Sequence, residues 1–168
     1  MSRDLAGPAE ARAAELIGLL GLDAHPEGGY FRVHRSPNTV LPADGRPPRS
    51  ALTTIYFLLI PGQHSRWHRV RSDEVWHHYE GAPLELFLGP PRMDRVLRLC
   101  LGPDGKDQSR IHAVPAGWWQ AARPRGGFSL VGCTVGPGFE FEDFGFLRDD
   151  AAALRVLQRL DPTLAQLA

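Results

Sequence analysis

Apolar positions recur along this chain in two rhythms. Near the N-terminus Ala13, Leu16, Ile17 and Leu20 share one face of a segment rich in Ala, Glu and Leu. That spacing predicts a helix over residues 9–20, stopped at Gly21. Toward the C-terminus Ala151, Leu154, Leu157 and Leu160 recur at near-helical spacing and predict a closing helix over residues 149–160. Between these ends the pattern turns to that of strands. Segments dense in β-branched, aromatic and aliphatic residues are expected as strands over 30–35, 51–60, 67–71, 74–79, 84–88, 95–100, 110–114, 119–122 and 128–134. Turn residues punctuate them at Pro61–Gly62, Glu80–Gly81, Gly89–Pro90, Pro115–Ala116–Gly117 and Gly126–Gly127. HPEGG (residues 25–29) and Asp104–Gly105–Lys106 read as turns, and proline-rich residues 36–50 as a loop. Many short strands between regular turns predict an all-β sandwich or barrel with a short helix near each end.

Length and composition narrow the picture. The 168 residues suit one domain over 1–168, with a core that needs no disulfide staples. Formal net charge is zero and the basic residues are scattered, which argues against nucleic acid and acidic membrane as partners. The N-terminal stretch MSRDLAGPAEARAAE has no apolar signal core. The longest strongly apolar run, Ile55–Ile60, is far too short to span a bilayer, so a cytoplasmic location is expected. Cys100 and Cys133 lie in apolar strand-like runs and read as small buried residues.

The chemistry concentrates in GQHSRWHRVRSDEVWHHYEG, residues 62–81. Side chains alternate along a strand, so His68 shares a face with Val70. A tight turn at Ser72–Asp73 then opens a second strand, on which Glu74, Trp76 and His78 share a face. If that face is the barrel interior, all of these look inward, while His77 and Tyr79 point away. A histidine beside a carboxylate in an apolar interior has its pKa lowered by desolvation and raised by its neighbour. Such a pair serves as general acid and base, or as a satisfied buried pair without chemistry. Tyr30 and Phe31, after the Gly28–Gly29 turn, are candidates for the barrel mouth. In FEFEDFGF (139–146) aromatics alternate with acids, which reads as an edge or lid, with Glu142 or Asp143 entering the pocket as the alternative.

Residues 62–81 resemble the first cupin motif, G-x5-H-x-H-x3/4-E-x6-G, with Val70 in place of the second histidine. Pro115, Gly117 and Gln120 echo the second motif, with Ser109 at its glycine, Gln120 at its histidine and Pro124 at its asparagine. HPEGGYFR, SRWHRVRSDEVWHHYEG, VPAGWWQAA and GCTVGPGFEFEDF together look like one branch of cupins, known mainly as a domain of unknown function. The resemblance implies a double-stranded β-helix, or jelly-roll, barrel and a homodimer. It implies His68, Glu74 and Gln120 as ligands if a divalent metal is held, in a weak site, because Val70 cannot ligate and an amide oxygen is a poorer donor than imidazole. The expected state is therefore no cofactor or a weakly held metal.

The functional expectation is a small-molecule-binding protein with isomerase- or epimerase-like chemistry on a sugar-like or other polar ligand. His68 and Glu74 would be catalytic, and Tyr30, Trp76, His78 and Gln120 ligand-binding. Two alternatives stay open: a non-catalytic ligand sensor or carrier, and a weak-site metal-dependent enzyme such as a dioxygenase.

Overall fold

The computed structural model describes residues 7–26, 28–103 and 105–168. The HPEGG and Asp104–Gly105–Lys106 turns lie partly outside them, at Glu27 and Asp104. The chain opens with α1 (Pro8–Leu20) and then β1 (Asp23–Ala24), β2 (Tyr30–Arg35), β3 (Thr39–Val40), β4 (Arg49–Ser50) and β5 (Thr53–Leu59). It continues with β6 (Ser65–Val70), β7 (Asp73–Gly81), β8 (Leu84–Gly89), β9 (Leu97–Leu101) and β10 (Ile111–Val114). Last come β11 (Trp119–Pro124), β12 (Ser129–Gly136), β13 (Phe144–Phe146) and α2 (Ala151–Leu160). Most expected strands are present within a few residues, and the expected loop over 36–50 carries the small β3–β4 ribbon.

Two antiparallel sheets form a jelly roll. One runs β1-β2-β5-β12-β7-β10, the other β13-β6-β11-β8-β9. The Arg71–Ser72 connection carries the chain from β6 in one sheet to β7 in the other, so the two halves of the 62–81 motif face each other across the interior. Alternation sorts the side chains. Phe57, Trp76, Leu84, Leu86, Leu88, Val131 and Cys133 turn inward and pack as one cluster. Burying each of the larger aliphatic or aromatic ones contributes about 1.5–3 kcal/mol.

Each outer face is covered by one helix. Pro8 starts α1 at a position where its missing N–H costs nothing, and Gly21, in the left-handed region at φ 59°, ends it. Ala13 and Leu16 pack on Leu58, Phe128 and Leu130, with Tyr30 and Tyr56 at the margin. At the other side α2 lies against Trp67, Phe87 and Trp119, and the Trp67 indole N–H donates to the Leu164 carbonyl at 2.8 Å. Asp150 caps α2 by accepting from the Ala153 amide at 3.0 Å. The buried face of α2 corrects the expected one. Ala153 and Leu157 are buried, whereas Ala151 and Leu160 are exposed. A strict three-residue spacing drifts about 60° round the helix at each step, so it cannot stay on one contact line. Cys133 is buried as expected, but Cys100 is only half-buried, and both are free thiols. Among the described residues no helix is long and apolar enough to cross a membrane.

Candidate functional site

One end of the barrel is filled with side chains; the other is hollow. The cavity there has a volume of about 70 Å³. Its polar lining is His25, Arg35, Thr53, His68 and Glu74, and its apolar lining includes Phe31, Val33, Ile55, Val70, Val135, Phe139, Phe141 and Phe144. His68 comes from β6 and Glu74 from β7, so the two sheets each supply one member of the pair. Both are buried, at 3% and 6% exposure.

Hydrogen bonds define the state of each group. The Nδ1 atom of His68 lies 2.7 Å from the Arg66 carbonyl oxygen, which can only accept, so Nδ1 carries the proton and Nε2 is the basic nitrogen of the neutral ring. The His68 ring stacks on Phe144, with centroids 5.2 Å apart. Burial lowers the His68 pKa below its ordinary 6.5, opposed by the negative charge of Glu74 and by the Arg66 hydrogen bond. Behind Glu74 a polar strap crosses between the sheets. Trp76 Nε1 donates to Gln120 Oε1 at 2.8 Å, and Gln120 Nε2 donates to the Glu74 carboxylate. Because an indole only donates, it fixes which way the Gln120 amide points.

That orientation decides how the site suits the divalent metal that the cupin resemblance implies. Gln120 turns its oxygen to Trp76 and its NH2 group toward Glu74. Val70 puts a hydrocarbon where a second imidazole would stand. Among the described residues no three His, Cys, Asp or Glu side chains are grouped to hold an ion. The donor set does not fit a tightly held metal.

The expected ligand-binding residues separate by depth. Trp76 and Gln120 sit beneath the cavity wall as the support of Glu74 rather than as lining. His78 shares their face, but lies away from the cavity: its Nε2 meets the Ala82 carbonyl at 3.1 Å, and its buried Nδ1 has no partner. Tyr30 points to the outer face under α1, and its neighbour Phe31 takes the inward place. His64 is half-buried and outside the lining. Neither Glu142 nor Asp143 of the FEFEDFGF segment enters. A 3-10 turn over Phe141–Asp143 interrupts the alternation, so Phe144 faces in and Asp143 turns out to Arg46 and Arg49 at 2.9 and 3.0 Å. Phe144–Phe146 then pairs with β6 as an edge strand.

His25 was not singled out by sequence reasoning. It stands just before Gly28 and Gly29, both at positive φ. A Cβ on Gly28 would collide with the His64 carbonyl, and one on Gly29 would lie 2.7 Å from the Leu58 carbonyl oxygen. Gly28 and Gly29 thus lie close against the β5 end and the His64 backbone, and His25 stands edge-on to Phe31, with centroids 4.4 Å apart. Burial and the nearby His68 push the His25 pKa down to about 4. The one available signal was a histidine beside a Gly-Gly pair, which demands close backbone approach. Arg35, also unforeseen, ties β2 to the aromatic rim through the Phe139 carbonyl (3.1 Å) and the Glu140 carboxylate (2.9 Å).

The chain is similar to known proteins over most of its length. A family model described as Cupin superfamily (DUF985) matches residues 14–147. A hypothetical protein from Leishmania major is 30% identical, over 88% of this chain and 97% of that one, with a TM-score of 0.76. A protein from Shewanella oneidensis, solved by X-ray crystallography, is 32% identical over 92% of each chain, with a TM-score of 0.77. Oxalate decarboxylase from Bacillus subtilis shares the fold at 14% identity and a TM-score of 0.57, over 81% of this chain and 33% of that one. No curated protein matches.

Proposed function

We propose that this chain, which belongs to the DUF985 family of the cupin superfamily, binds a small molecule inside its barrel and holds His68 and Glu74 against it as an acid–base pair. The observation that carries this reading is their placement: buried side chains from facing sheets, in the wall of one cavity with an aromatic mouth. Buried polar groups of this kind are costly as core filling, and they cluster where chemistry is done.

The roles follow from the hydrogen bonds. At neutral pH His68 is uncharged and presents Nε2 as a base. The charge of Glu74 stabilises the imidazolium that forms when Nε2 takes a proton. Gln120 holds the Glu74 carboxylate in place from behind. A proton taken from a carbon next to a carbonyl and returned to it is isomerase- or epimerase-like chemistry, and it needs no metal-bound step. The small cavity favours a reacting molecule of few atoms over a whole sugar ring.

The test uses acetoin in D2O. The protein is expected to accelerate exchange of the carbon-bound hydrogen beside the carbonyl, followed by proton NMR. His68→Asn and Glu74→Gln are each expected to lose at least about 100-fold of that acceleration. Saturable binding of acetoin without exchange would instead establish the carrier reading, which the largely apolar walls also fit.

A further inference from the structure

The walls of the same cavity narrow the class of its ligand; this step rests on the reading that the cavity binds a small molecule. We propose that the ligand has an apolar body and one hydrogen-bond-donating head, a hydroxyl or an amine, and is neither an anion nor a polyol. The body is matched by Phe31, Val70, Val135, Phe139, Phe141 and Phe144, which offer no hydrogen bonds to further hydroxyls. The head is matched by the polar end. His68 and Glu74 are nearly sealed from water, whereas Phe141 at the mouth is 62% exposed, so the acceptors lie inside and the apolar rim outside. Nε2 of neutral His68 accepts, and so does the Glu74 carboxylate.

Charge excludes the anion. Among the described lining residues Arg35 is the one cation, and Glu140 already pairs with it. His25 and His68 are both held neutral at pH 7 by burial. A carboxylate or phosphate entering the cavity would therefore face Glu74 without a positive charge to answer it. A cationic amine would meet the opposite: a carboxylate at the inner end and phenyl faces along the wall.

Four probes that vary only in the head or in polarity test this: isobutanol, isobutylamine, isobutyrate and glycerol, each titrated into the wild-type chain at pH 7. The histidine ring resonances of His25 and His68 and the Trp76 indole N–H report binding. The better of isobutanol and isobutylamine is expected to bind more than about threefold tighter than isobutyrate and than glycerol. In Glu74→Gln the gap between isobutylamine and isobutyrate is expected to close; should that variant not fold, the wild-type series decides alone. Isobutyrate or glycerol binding within threefold of the better donor, or tighter, overturns the ligand class and leaves the binding site standing. No shift from any of the four probes overturns both.

Discussion

Glu74 and Asp143 are both carboxylates withdrawn from water, and their surroundings differ in kind. Asp143 is clamped by Arg46 and Arg49, with Ser72 and Asp44 completing the contacts of Arg46. Burial alone would raise its pKa, but the hydrogen bonds from Arg49 and Arg46 outweigh it and hold the carboxyl below its ordinary value. Charge there is matched by opposite charge, and nothing in the clamp titrates near neutral pH. It anchors the aromatic rim to the loop before β5. Glu74 faces a neutral amide and lies close to a neutral imidazole, inside a cavity. A buried carboxylate answered by guanidinium groups builds scaffold; one held by a neutral amide near a neutral imidazole at a cavity wall suits the proton transfer proposed for it.

The sharpest way to break this contrast is at the clamp. Asp143→Ala takes the shared buried carboxylate from two guanidinium groups, leaving Arg46 only Asp44 and Ser72 and Arg49 only the exposed Glu142 as side-chain partners. It is expected to destabilise the fold by roughly 3 kcal/mol, seen as a lower denaturation midpoint in urea. The wild-type share of that stability is present at neutral pH and lost as pH falls through the lowered carboxyl pKa of the folded state.

Acid reaches the cavity side earlier. His25 titrates at about 4 when folded against 6.5 ordinarily, so between those values the unfolded chain binds the extra proton. Stability is then full above 6.5 and declines as pH falls toward 4, by up to ~3 kcal/mol from His25. Denaturation across pH 4–7 should show that slope flattened in His25→Gln. It should not vanish, because the pKa values of His64, His68 and His112 are also lowered by burial. Gln120→Leu leaves the Trp76 N–H and the Glu74 carboxylate without their amide, which is expected to cost about 2 kcal/mol by urea denaturation. Phe141→Ala, at the exposed rim, should stay within about 0.5 kcal/mol of wild type while weakening ligand binding. A large stability loss there would make the rim scaffold after all.

Alternation along the strands was sufficient to put Glu74, Trp76 and His78 on one face and His68 with Val70, and the cupin resemblance added Gln120 to them. That β6 and β7 lie in facing sheets came from the structure. What alternation cannot read is depth. Trp76 and His78 share a face with Glu74, yet only Glu74 is near enough to the open end to line the cavity. Tyr30 and Phe31 were indistinguishable from spacing alone, since a short strand at a sheet margin packs on both sides. His25 sits on a loop whose position depends on the contact of Gly28 with the His64 backbone, a tertiary event with no local period. The inward turn of Phe144 in place of Asp143 likewise needs a 3-10 turn that two distant arginines stabilise.

Everything proposed for the cavity depends on His68 standing in the barrel as a neutral base beside Glu74. Long-range nitrogen–proton NMR of the histidine rings tests it most directly. His68 at pH 7 should be neutral and protonated on Nδ1, with a pKa below 6.5. A His68 ring that is an imidazolium at pH 7, or neutral with its proton on Nε2, would contradict it.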